Sequence, residues 1–245
     1  MAKLCGFLPR WLLLLSIWAI HPSMADTATP DASDEEPTVL RFMTIEHPRA
    51  EAAREMIESA YNRIGHYRIQ LIPAPPKRSL YQAGLAQFAD GELVRAKLNE
   101  EDYPSLIRVE HPISCVAVVA VSQKKDTYPS MMFLKHQTVG VIHGRFGFFE
   151  LLEDSELIYT TNAKALLKMV AAGRLEVGVM DKHEAMLNMK ALALDNIKVN
   201  EPDLMEGNVY HYLHIKNRHL VEPLTQVFID MRGEGLLGRS CVLDL

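Results

Sequence analysis

The chain has 245 residues, 31 acidic against 26 basic side chains, and a net charge of −5. That length builds one large domain or two lobes of ordinary size, and the acidic balance repels a phosphate backbone, which argues against a nucleic-acid partner. After the first 25 residues no stretch approaches the about 20 apolar residues of a membrane span.

The amino terminus carries Lys3 and Arg10 and no acid, then the apolar run 11–20, then Pro22-Ser23-Met24-Ala25 and Asp26. This is the order of a cleavable secretory signal over 1–25, and its apolar run is only half the length of a membrane anchor. Cys5 precedes the apolar core, so nothing points to a lipid anchor. Cleavage lowers the basic count from 26 to 24 against 31 acids, a net charge near −7. It leaves Cys115 and Cys241, which an oxidising compartment permits to pair, although two free buried thiols fit their spacing equally. Residues 26–37 are acidic and poor in large apolar groups, and read as a disordered leader.

Residues 38–45 are β-rich. After Pro48, apolar residues at Ala53, Met56, Ile57, Ala60, Tyr61 and Ile64 have helical spacing. Tyr67, Ile69 and Leu71 alternate with polar residues as in a strand. The proline-rich turn at 73–76 opens a helix through Leu80 and Leu85, and Gly91 starts a strand over 92–94. This rhythm predicts a parallel sheet with helices on its faces. The apolar run 115–121 fits a strand buried on both sides.

The pattern then restarts. Strand 138–142, helix 144–152 and strand 157–159 are followed by Asn162, which can cap a helix bearing Leu166, Leu167 and Val170 and closed by Gly173. Strand 175–180 leads to Asp181 at the start of another helix. The segment Ala89-Asp90-Gly91-Glu92-Leu93-Val94 is echoed by Ala172-Gly173-Arg174-Leu175-Glu176-Val177, which favours two α/β lobes over a single sheet. Strand 209–215 and helix 220–231 return to the first lobe. The expected division is therefore lobe 1 over 38–115 plus 207–245, and lobe 2 over 116–206.

Phosphate-binding Gly-Lys-Ser loops, HExxH and Gly-x-Ser-x-Gly elbows do not occur in the sequence. His211 and His214 fall on opposite faces of a strand, so they do not share a metal; the adjacent pairs Glu46-His47 and His183-Glu184 point their side chains apart. Glu46, Arg78, Arg95, Arg145 and Asp181 stand out because each follows a strand or opens a helix at the edge where open α/β sheets place ligands. Singly, each reads equally as a solvated charge, or for Asp181 as a helix cap.

These pieces resemble the type 2 periplasmic solute-binding proteins, the family 3 group that includes amino-acid receptors of uptake systems. The resemblance covers 38–238. It is clearest in Thr138-Val139-Gly140-Val141-Ile142-His143-Gly144 and in the segment from Ala171-Ala172-Gly173 through Val179-Met180-Asp181. It implies a two-lobed α/β protein, a central mixed sheet in each lobe, and a cleft that closes about crossing segments near 114–120 and 205–208. By the resemblance, Asp181 takes a ligand's ammonium. The downstream arginine of amino-acid receptors is absent from Glu100-Glu101-Asp102-Tyr103-Pro104, and Arg95 or Arg78 is the substitute clamp for a carboxylate. Tyr61, Tyr103 or Phe146 could wall the cleft, with core packing as the plainer role for each. The implied protein is a periplasmic monomer without metal or cofactor, which hands a small polar solute to an inner-membrane transporter or reports it to a sensor. Two alternatives stand beside it: a periplasmic dehydratase-like enzyme using Glu46 or Glu176 as general acid, and a ligand-free module that docks on a membrane partner.

Overall fold

The computed structural model describes residues 36–65, 67–123, 128–145, 152 and 154–241. The expected signal peptide and most of the leader lie outside the described residues, as does nearly all of the helix expected over 144–152. Ten strands among the described residues form one sheet, eight of them in a single path of neighbours and two short ones beside it. At one end β1 (Thr38–Thr44) pairs in parallel with β2 (Tyr67–Pro73) and β3 (Gly91–Ala96). At the other, β6 (Thr138–Ile142) pairs in parallel with β7 (Glu156–Thr160) and β8 (Val177–Asp181).

Two long strands join these ends. β5 (Ser114–Ser122) and β10 (Met205–His214) run antiparallel to each other, with Val118 opposite Met205 and Ser114 opposite Val209. Each then leaves the other for a different neighbour. β10 continues antiparallel to β3 and to β4 (Leu106–Arg108), while β5 continues antiparallel to β8 and to β9 (Lys198–Val199). The sheet is thus mixed, as the resemblance implied, where the alternating pattern alone suggested a parallel one. A chain that crosses between two halves as an extended strand, without a helix, meets its neighbours head to tail. Because the sheet runs through both halves, Glu36–Leu245 hold together as one unit by contacts.

The helices follow the apolar spacing. α1 (Ala50–Ile64) buries Ala53, Ile57, Ala60 and Tyr61, and packs with α5 (Val221–Gly233) on one core that contains Phe42, Leu93, Leu213, Leu224 and Phe228. α2 (Pro76–Ala83) stops before Leu85, shorter than expected, with Gly84 closing it. α3 (Ala163–Ala171) is capped by the Asn162 side chain, which accepts from the Ala165 N–H at 2.9 Å. Its exit needs a left-handed residue, which Gly173 supplies at φ +69°. α4 (Lys182–Ala191) starts on Asp181, whose Oδ1 accepts from the Glu184 N–H at 2.7 Å. Two further apolar clusters cover β5, β6 and β8, as expected for strands buried on both faces.

Cys115 on β5 and Cys241 form a disulfide across 126 positions of sequence. Of the two readings left open by spacing, the bonded pair is the one realised. Glu206 lies near both sulfurs, but sulfurs bonded to each other offer no thiolate to a metal. No helix among the described residues is long and apolar enough to cross a membrane.

Candidate functional site

Where β5 and β10 cross, the edges of β1, β3 and β8 face a cleft of about 710 Å³. Its walls are largely apolar, with Met56, Val94, Ile113, Val116 and Val209 among them, and its charged lining includes Arg49, Arg95, Arg145 and Asp181. The cleft therefore takes residues from β3, from the turn after β6 and from the end of β8, as an open α/β sheet tends to do at its carboxyl edges.

Arg95 reaches the cleft through a bulge. Tyr210 and Tyr212 of β10 lie opposite Arg95 and Glu92 of β3, so the β3 side carries one extra residue between these pairs. A bulge breaks strict alternation, and it lets two side chains three positions apart meet: Arg95 Nη2 lies 3.1 Å from Glu92 Oε1. Glu92 is fully buried, and its other oxygen accepts from Ser79 Oγ at 2.6 Å. Burial pushes its pKa up to about 7, although Arg95 and Ser79 pull it down. Arg95 Nη2 also donates to the Pro76 carbonyl at 2.9 Å, and the residue is 5% exposed.

Arg145 stands in the turn that follows β6, its N–H donating to the Ile142 carbonyl at 3.1 Å. Its Nη2 donates to Glu184 Oε1 at 3.0 Å and to the Glu46 carbonyl at 3.5 Å. Burial lowers its pKa, Glu184 opposes that, and the nearby charge of Arg95 adds to it. Burial raises the pKa of Glu184 against the pull of Arg145 and His47. The two guanidiniums thus share one electrostatic environment.

Asp181 is 3% exposed and already engaged. Besides capping α4, it lies 3.6 Å from Arg49 Nη2 and 3.7 Å from His47 Nε2. Burial works against its charge, but His47, the Glu184 N–H and Arg49 outweigh it, and its pKa falls below the ordinary value. Asp203, the other carboxylate of the lining, holds Lys182 at 2.7 Å.

Of the residues singled out in the sequence, Arg95, Arg145 and Asp181 line this one cleft. Glu46 is exposed and faces a second cavity of about 630 Å³, which shares Arg145 and His47 with the first. Arg78 is exposed on α2 and is not among the cleft residues. Tyr103 packs beside Leu106 and Tyr212 around a separate small crevice. Phe146 lies outside the described residues. Sequence reasoning missed Ser79, Glu92, His47, Arg49 and Glu184. From the adjacent pairs Glu46-His47 and His183-Glu184, one member each, His47 and Glu184, come within 3.9 Å of each other. Only a pairing across the fold reveals this.

No protein-family model matches the sequence, and no curated protein is similar enough to count as a relative. Solved structures do match. An amino acid ABC transporter substrate-binding protein, AbpA from Streptococcus pneumoniae, bound to L-arginine, superposes with a TM-score of 0.64 at 13% identity, over 81% of this chain and 90% of that one. A histidine kinase sensor domain with similarity to periplasmic binding proteins gives 0.68 at 12% identity, over 82% and 92%. The GluR0 ligand-binding core from Nostoc punctiforme, in complex with L-glutamate, gives 0.65 at 14% identity, over 80% and 94%. The chain therefore has the two-lobed α/β fold of the type 2 periplasmic solute-binding proteins, as the sequence resemblance implied.

Proposed function

We propose that the chain is an exported solute-binding protein that captures a small organic carboxylate in the cleft at the β5–β10 crossing, for delivery to a membrane transporter or report to a sensor. One observation carries this reading. Nε and Nη1 of both Arg95 and Arg145 are buried in the cleft lining and have no hydrogen-bond partner among the described residues. Buried guanidinium donors left unpaired are costly, by about 1–3 kcal/mol each, and a bound carboxylate satisfies them. The lobes expected over 38–115 with 207–245 and over 116–206 would close on it about the two crossing strands. Binding is favoured over turnover because neither acid considered for an enzyme serves this cleft: Glu176 is exposed, and Glu46 faces the second cavity. The signal expected over 1–25 and the Cys115–Cys241 bond support a periplasmic setting, since disulfides persist in oxidising compartments.

Thermal unfolding in the presence of a panel of amino acids and small carboxylates tests the reading. A ligand at 100 times its Kd stabilises the folded state by about 2.7 kcal/mol. At least one small acid should raise the melting temperature, and the Arg95→Gln protein should show no such rise. A flat response to the whole panel, or one that survives Arg95→Gln, rejects the cleft as the binding site.

A further inference from the structure

We infer that the cleft selects organic acids that carry no amine: the carboxylate lies against Arg95 and Arg145, an apolar chain or ring runs along Met56, Val94, Ile113 and Val209, and no ammonium is recognised. The inference rests on the carboxylate-binding reading and narrows it to one ligand class.

The unpartnered polar atoms of the site divide by sign. The orphan acceptors are Glu92 Oε1, Asp181 Oδ2 and Glu184 Oε2. Each has a cation or a histidine at hand: Arg95 at 3.1 Å, Arg49 at 3.6 Å and His47 at 3.9 Å. The orphan donors, Nε and Nη1 of Arg95 and of Arg145, meet no acceptor among the described residues; each guanidinium touches a carboxylate only through Nη2, Glu92 at 3.1 Å and Glu184 at 3.0 Å. A ligand's negative group thus has four buried N–H-bearing atoms to meet. A ligand's ammonium has no free carboxylate, because both acids of the lining are paired internally, Asp181 with Arg49 and His47, and Asp203 with Lys182. An ammonium brought beside Asp181 would have to displace Arg49 and would stand among three guanidiniums, where like charges disfavour it. The rest of the wall is mostly aliphatic, and such a surface gains from apolar ligand area.

Isothermal titration of the exported protein with matched pairs decides the matter: 4-methylpentanoate against leucine, and 3-phenylpropanoate against phenylalanine. The amine-free member of a pair should bind at least about tenfold more tightly, the equivalent of about 1.4 kcal/mol. The Arg49→Ala protein, altered at a partly exposed residue, leaves Asp181 Oδ2 without its cation while His47 stays on Oδ1, and should shift each ratio toward the amino acid by on the order of tenfold. If the amino acid binds more tightly to the unaltered protein, the inference falls while the carboxylate-binding reading stands. If Arg49→Ala leaves the ratio unchanged, Arg49 is not what shields Asp181 and the inference falls as well. If neither member of any pair binds, both fail together.

Discussion

At the scale of single residues, the site is a set of charges that the fold has partly answered. Glu92 is the deepest of them. Its pKa stands at about 7 in the folded protein against an ordinary 4.5. A carboxyl whose pKa rises on folding stabilises the protein when protonated; that contribution is complete below about pH 4.5 and is lost as the pH climbs through about 7. Between pH 5 and pH 8 the native protein should lose roughly 2–3 kcal/mol through this group alone. Glu92→Gln keeps an acceptor for Ser79 and cannot ionise, so its stability should fall less over the same range by that amount. Urea midpoints at the two pH values measure the difference. Equal slopes for the two proteins would mean that Glu92 titrates normally in its buried position.

At the scale of elements, two local devices carry measurable weight. The Asn162 side chain ties down the first turn of α3, and Asn162→Ala should reduce stability by about 1 kcal/mol, as loss of a helix cap usually does. Gly91 opens β3 where β10 passes closely: a Cβ there would lie 2.1 Å from the Tyr212 carbonyl oxygen and 2.9 Å from the Leu213 Cα. Backbone cannot yield as a side chain can, so Gly91→Ala should cost about 3 kcal/mol or more in chemical denaturation. Gly91 was legible only as the start of a strand, and the close pass of β10 was not. The cap was legible in advance, because Asn before an apolar helical stripe is a local pattern. The helical spacing in α1 and the apolar run of β5 were legible for the same reason. The bulge in β3 was not, since it exists only in relation to the partner strand β10, and with it went the meeting of Glu92 and Arg95. The pairing of His47 and Arg49 with Asp181 was hidden likewise: more than 130 positions separate them, and no periodicity spans that distance. β4 and β9, three and two residues long, are too short to show alternation at all.

At the scale of the whole molecule, the two halves are joined by a sheet rather than by loose linkers, and the carboxyl-terminal segment is fastened to the junction. The Cys241 N–H donates to Asn208 Oδ1 of β10 at 2.8 Å, its sulfur is bonded to Cys115 of β5, and Arg239 pairs with Glu206 of β10. Both crossing strands are therefore held by one short piece of chain, which also lines the cleft through Gly238 and Arg239. Closing a loop of 126 positions restricts the unfolded chain far more than the folded one, and chain-entropy reasoning puts the stabilisation at roughly 4–5 kcal/mol. The protein with both Cys115→Ser and Cys241→Ser should unfold at a correspondingly lower urea concentration and with a steeper dependence, because its unfolded state exposes more surface. A reductant should bring the native protein down to the same midpoint and leave the double variant where it is. If reductant moves both proteins equally, or neither, then the bond between β5 and the carboxyl-terminal segment is not what fastens the junction in solution.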